Sequence, residues 1–122
     1  MLERKSGKII NISSGVGVFG GVNSSIYSAA KAGVIAFTKS LAKEVIASGV
    51  YVNNIAPGIG DTNFHRSSNM PEGFMEFAVR TVPLRRATTP QDIGNAVVFL
   101  ASDASSDIVG QTFSVDGGTL ML

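Results

Sequence analysis

Hydrophobic positions along the chain change period several times, and each change marks an element. Lys8 to Ser13 reads Lys-Ile-Ile-Asn-Ile-Ser, a β-branched run stopped by Gly15, Gly17, Gly20 and Gly21, which is the pattern of a buried strand entering a loop. Ser24 and Ser25 then offer a helix cap, and Tyr27, Ala30, Val34, Phe37 and Leu41 recur in steps of three and four until Gly49 offers a stop. That spacing predicts a long amphipathic helix with this stripe on its apolar face. Val50 to Ala56 is again β-rich and ends sharply at Pro57-Gly58.

Gly60 to Met70 is polar and irregular, and a short helix is expected from Pro71 through Phe74 and Phe77, ended by Pro83. Thr89-Pro90-Gln91-Asp92 is a strong helix start, with Thr as N-cap, Pro at the first position and an acid in the first turn. Ile93, Ala96, Val97 and Leu100 form the expected buried stripe. Gln111 to Val115 reads as a third strand closed by Asp116-Gly117-Gly118. The order β-α-β-α-β, with no repeat or linker, predicts an α/β domain built on a small parallel sheet. Three strands leave two edges, and at least one face is expected to be thinly covered.

Composition narrows the function more than it changes the fold. A chain of 122 residues with 44% hydrophobic and 16% charged residues fits one globular domain. The net charge of +1 and the lack of a long Lys/Arg cluster argue against nucleic acid as a partner. With no cysteine, thiolate chemistry and disulfides are excluded, which favours a cytoplasmic setting. Residues 9–30 carry no formal charge, yet their Ser, Gly and Asn content is too polar for a lipid-facing helix, and no secretory signal is read at the start. His65 is the single histidine and has no neighbouring ligand cluster, so no metal site is expected. Asp61, Asp92, Asp103 and Asp107 fit turns and helix starts and receive no catalytic role.

Two motifs compete for the chemistry. Gly15-Val16-Gly17-Val18-Phe19-Gly20 is a literal G-x-G-x-x-G after a strand, as in a dinucleotide phosphate turn. A true fingerprint opens its helix within the glycines and has an acid near the end of the next strand. Here more loop follows and Val50 to Ala56 has no acid, so the hexad reads as a chance match. The second motif is Ser14 followed by Tyr27-Ser28-Ala29-Ala30-Lys31, which puts a phenol and an ammonium one helical turn apart on one face. A phenol works as a general acid or base near neutrality when a nearby cation stabilises its phenolate. Ser14, at the C-terminal end of a parallel strand, is placed to hydrogen-bond the same substrate oxygen. Taken alone, a Tyr and a Lys at this spacing also suit an ordinary surface pair.

The wider run of motifs resolves that choice. Asn11-Ile12-Ser13-Ser14, Tyr27-Ser28-Ala29-Ala30-Lys31-Ala32-Gly33, Val52-Asn53-Asn54-Ile55-Ala56-Pro57-Gly58 and Val115-Asp116-Gly117-Gly118 occur in register along essentially the whole chain. Together they resemble a short-chain dehydrogenase/reductase, most nearly the 3-oxoacyl-acyl-carrier-protein reductases and the sugar or polyol dehydrogenases of that family. The resemblance implies the C-terminal half of a Rossmann-type doubly wound parallel sheet, a single partial domain over residues 1–122 with the N-terminal half absent. It also implies hydride transfer between NAD or NADP and a small carbonyl or secondary alcohol. Tyr27 is then the proton donor, Ser14 its orienting partner, and Lys31 the group that stabilises the phenolate and holds the nicotinamide ribose.

Pro57, Gly58, Gly60 and Thr62 are implied to lie along the nicotinamide. Gly60 departs from the branched aliphatic usual there, and a glycine is expected to loosen the backbone. Phe64 to Val82 corresponds to the family's variable substrate loop, where Phe74, Met75 and Phe77 suit an apolar pocket and Arg66 or Arg80 an anionic group; a plain solvated cover fits equally. A homo-oligomer formed through the helix carrying Tyr27 and Lys31 is a further implication. The family's glycine-rich phosphate loop, its residue choosing NAD or NADP, its Asn-Ala-Gly segment and its further catalytic Asn are not in this sequence. Two readings follow: an oxidoreductase represented by part of its length, or a catalytically silent remnant serving as an interaction module or as one piece of a two-piece enzyme.

Overall fold

Three parallel strands, β1 (Gly7–Ile12), β2 (Val50–Pro57) and β3 (Thr112–Val115), lie side by side in that order in the computed structural model, which describes residues 1–60 and 71–121. The register runs from Gly7↔Val50 to Ile12↔Ile55 and from Asn54↔Thr112 to Pro57↔Val115. β2 is the middle strand, and Val50, Val52, Ile55 and Ala56 are buried, as expected of a parallel strand covered on both faces. β1 has a partner on one side only among the described residues, and it is half-buried until Ile12, which is exposed.

Four helices accompany the sheet among the described residues: α1 (Val16–Phe19), α2 (Ser25–Val45), α3 (Phe74–Thr81) and α4 (Pro90–Ala101). α2 crosses from β1 to β2, and α4 lies between β2 and β3 in the chain. They lie on opposite faces. Asn11 Nδ2 donates to Thr38 Oγ1 of α2 at 2.9 Å. On the other face, Lys8 Nζ donates to Ser105 Oγ at 3.0 Å and to the Ser102 carbonyl just past α4, and Phe99 of α4 meets Phe113 edge-on at 6.5 Å. Both faces of the sheet therefore carry a helix, while β1 and β3, each paired on one side among the described residues, are less buried than β2.

The cap of α4 forms as the sequence predicts. Thr89 Oγ1 accepts from Asp92 N at 3.2 Å while Asp92 Oδ2 accepts from Thr89 N at 2.8 Å, satisfying two orphan donors reciprocally. Arg86 adds a two-pronged ion pair to Asp92 at 2.6 and 3.1 Å. The Arg86 hydrogen bond first, and the Thr89 backbone N–H next, hold the Asp92 carboxyl well below the usual carboxylate range. Leu100 is buried, and Ile93, Ala96 and Val97 are half-buried on the predicted stripe.

α2 departs from its expected orientation. Tyr27, Ala30 and Phe37 of the predicted apolar stripe are exposed, and Ile26 beside them is 87% exposed. Val34 and Leu41 of that stripe are half-buried, as are Ser28, Lys31, Ile35 and Val45, and Thr38 and Ala42 are buried. Small and polar side chains let the helix approach closely: a Cβ added at Gly110 would stand 3.4 Å from Ala42 Cβ. Thr38 remains satisfied by donating to the Val34 carbonyl at 2.8 Å while accepting from Asn11. Ser24 takes the N-cap position without a side-chain cap bond, its hydroxyl meeting that of Ser28 at 3.3 Å. Gly49 closes the connection to β2 in the left-handed region, φ 69°, directly against the Lys5 carbonyl.

α3 starts at Phe74, after a left-handed Gly73 at its N-cap, rather than at Pro71. Ala78 and Val82 are buried, Phe74 and Met75 are half-buried, and Phe77 is exposed. Among the described residues no helix is long and apolar enough to cross a membrane, and no group of three His, Cys, Asp or Glu is placed to hold a metal.

Candidate active site

Parallel strands deliver their exits to one edge of the domain, and the residues singled out in the sequence converge there. β1 is followed by Ser13 and Ser14, β2 by Gly58, and β3 by Asp116. Ser13 N donates to the Ile55 carbonyl at 2.8 Å and Gly15 N to the Pro57 carbonyl at 3.0 Å. The ladder thus holds the chain on both sides of Ser14. The Ser14 carbonyl then accepts from Gly17 N at 2.9 Å, turning the chain into α1.

Gly17 explains why this turn sits where it does. A Cβ there would stand 2.7 Å from the Lys31 carbonyl carbon and 2.9 Å from Ala32 N. The bare glycine lets α1 rest on the backbone of α2 at Lys31, one turn beyond Tyr27. The glycine hexad is therefore a packing device. It encloses the short α1, and the long helix opens only at Ser25, so no phosphate turn of the dinucleotide type forms.

Lys31 reaches towards the strand end. Its Nζ donates to the carbonyl of Ile12, the last residue of β1, at 3.3 Å, and lies 5.7 Å from the centroid of the Tyr27 ring, within cation–π range. Tyr27 is 40% exposed, whereas Ser14 and Lys31 are half-buried. The ammonium is thus held by a backbone carbonyl beside a phenol, with the serine turn seated on the same stretch of helix.

The nicotinamide-side candidates follow β2. Gly58 N donates to the Val115 carbonyl at 3.0 Å, and a Cβ at Gly58 would stand 2.6 Å from Asp116 Cα, so β2 leaves tightly against the end of β3. Ile59 accepts from Thr88 N at 2.8 Å and Gly60 bridges to Thr88. Thr88 thus pairs with the backbone at this glycine. Thr62 lies outside the described residues, as do Asp61, Phe64, His65 and Arg66.

The sequence motifs included Asp116 without assigning it a task. Its buried carboxylate accepts from Ser114 Oγ and Gly118 N, each at 3.0 Å, and from Leu120 N at 2.8 Å, tying down the turn after β3. Beside it lies a cavity of about 310 Å³ lined by Leu84, Arg86, Thr88, Asp116 and Leu120 among others, and none of Ser14, Tyr27 or Lys31 borders it. We place the candidate chemistry beside Ser14 at the exit of β1 rather than in this cavity at the exit of β3, whose Asp92 and Asp116 carboxylates and Arg86 guanidinium are already engaged.

Known proteins share this arrangement of sequence. The family described as enoyl-(acyl carrier protein) reductase matches residues 1–119. The 3-oxoacyl-acyl-carrier-protein reductase FabG of Chlamydia trachomatis serovar D is 48% identical over 118 residues, which are 97% of this chain and 47% of that protein. The 3-oxoacyl-acyl-carrier-protein reductase of Synechocystis is 47% identical over 122 residues, 99% of this chain and 47% of that protein. FabG of Thermotoga maritima is 39% identical over 121 residues, 99% of this chain and 48% of that protein. The chain spans about half the length of these curated relatives. With matches of this extent over an α/β core that carries Ser14, Tyr27 and Lys31 at one strand end, the chain belongs to the short-chain dehydrogenase/reductase family.

Proposed function

We propose that this chain supplies the proton-transfer half of an NAD(P)-dependent oxidoreductase acting on a carbonyl or secondary alcohol. The observation that carries the reading is the Lys31 ammonium, fixed between the Ile12 carbonyl and the Tyr27 ring where the Ser14 turn meets the same helix. In reduction, Tyr27 gives its phenolic proton to the substrate oxygen as negative charge develops there. Ser14 donates a hydrogen bond to that oxygen. Lys31 stands beside the phenolate left behind as its counter-charge.

The donor set at Lys31 fits a nicotinamide nucleotide. An ammonium carries three donors, and the bond to Ile12 leaves capacity for ribose hydroxyls. When bound, that cofactor supplies or accepts the hydride. Pro57, Gly58 and Gly60 would lie along its nicotinamide end, and the choice between NAD and NADP rests on residues other than these. The names of the relatives suggest a 3-oxoacyl thioester as substrate. The outward Ile26, Ala30 and Phe37 of α2 suit a second copy of the chain, giving a homo-oligomer. The half-length coverage also supports a second reading, in which a separate segment supplies the cofactor's phosphate contacts.

Tyr27→Phe tests the central claim. In NADPH- or NADH-dependent reduction of an acetoacetyl thioester, kcat is expected to fall by about 10²–10⁴, the range of general acid catalysis, with circular dichroism unchanged. Retained turnover in the variant overturns the role of Tyr27.

A further inference from the structure

We propose that Asn54, in the middle of β2, is a positioning residue for Ser14 and acts through Ser13; the catalytic part of this claim rests on the reductase reading above. Asn54 is fully buried, and its neighbours across the sheet are Asn11 and Thr112. Its Nδ2 donates to Ser13 Oγ at 2.7 Å and to Thr112 Oγ1 at 3.3 Å, so one amide group ties β3 to the exit of β1. Ser13 passes the link on: its hydroxyl donates to the Ile55 carbonyl at 3.3 Å, the same oxygen that accepts Ser13 N. Ser13 is thereby held by backbone and side chain together, and Ser14 is the next residue.

This arrangement has a cost. Asn54 Oδ1 is buried with no hydrogen-bond partner among the described residues, the sort of orphaned acceptor that folded proteins seldom keep. An apolar residue of similar size would avoid the penalty at Oδ1 but would leave Ser13 Oγ and Thr112 Oγ1 without their donor. The donor end of the side chain is what an apolar substitute lacks, and its shortest bond goes to Ser13. Asn53, next along the strand, is different: it donates to the Ile108 carbonyl at 2.8 Å and accepts from Gln111 N at 2.9 Å, securing the approach to β3.

The test compares Asn54→Val, Ser13→Ala and the double variant in the full 122-residue chain. Amide hydrogen exchange is followed at Ser13 and Gly15, with Asn53 as internal reference. Each single variant is expected to speed exchange at Ser13 and Gly15 by about tenfold relative to Asn53, the scale of one hydrogen bond. The double variant should add little, as coupled partners do. In turnover, Asn54→Val should lower kcat by about tenfold with the KM for cofactor unchanged. Unchanged exchange at Ser13 and Gly15 in both single variants overturns the proposal, as does altered exchange with kcat intact. If the unsubstituted chain shows no turnover by itself, as the second reading above expects, the exchange data alone decide whether Asn54 positions the Ser14 turn.

Discussion

Replacing Gly17 by alanine is the sharpest probe of how the candidate site is assembled. The added methyl meets backbone rather than a flexible side chain: the Lys31 carbonyl carbon at 2.7 Å, Ala32 N at 2.9 Å and Lys31 Cβ at 2.9 Å. Overpacking of this kind costs about 1–3 kcal/mol. Because Gly17 lies in a helical turn, alanine recovers up to about 1 kcal/mol of backbone propensity. The net expectation is a loss of up to about 2 kcal/mol, or up to roughly 8 °C in Tm for a domain of this size. Gly94 supplies the control, because it sits inside α4 and a Cβ there meets nothing within 4 Å. Gly94→Ala should gain about 0.5–1 kcal/mol from propensity alone. Thermal melts by far-UV circular dichroism on the two variants in parallel decide the matter. If Gly17→Ala melts as high as Gly94→Ala, α1 does not rest on the Lys31 turn and the account of how Ser14 is seated fails.

Acid sensitivity and self-association follow from two other features. Arg86 and Thr89 depress the folded-state pKa of Asp92, so its contribution is full above the unfolded value of about 3.9 and is lost as pH falls through the lower folded value. Asp92→Asn should therefore lower the urea midpoint at neutral pH, with the gap to the parent closing below about pH 4; a pH-independent gap contradicts the linkage. Phe37 is 56% exposed on the outer face of α2, and Phe37→Lys should shift sedimentation towards the monomer without lowering the melting temperature of the monomer. An unchanged sedimentation profile removes that face as the contact.

The sequence disclosed elements better than orientations. Strand runs such as Lys8 to Ser13 and the cap at Thr89 to Asp92 are local signals, and the structure places both within a residue or so of expectation. The orientation of α2 was only partly legible from periodicity, because Val34 and Leu41 are half-buried as the stripe implies while the most buried positions are the small Thr38 and Ala42 and the aromatic Tyr27 and Phe37 are exposed. A hydrophobic stripe identifies the side that avoids water, and on this helix the small-residue side lies closer to the sheet. At the site, the four-residue step from Tyr27 to Lys31 was readable on any helix. The seat of α1 on Lys31 and the bond from Asn54 to Ser13 join residues far apart in the chain, and no short motif encodes such distances.

Strand β1 carries a two-sided lock. Lys8 points into the layer of α4, where the Ser102 carbonyl and Ser105 hydroxyl receive it, and Asn11 points into the layer of α2, where Thr38 does. Sliding an edge strand by one residue moves it about 3.3 Å and turns every side chain to the opposite face. Such a slide would leave the lysine against α2 and the asparagine against α4, each without its acceptor. Ser14 can thus be seated or displaced by a full step, with no graded positions between. Under the role proposed for Ser14, that discrete choice of register decides which residue stands at the exit of β1.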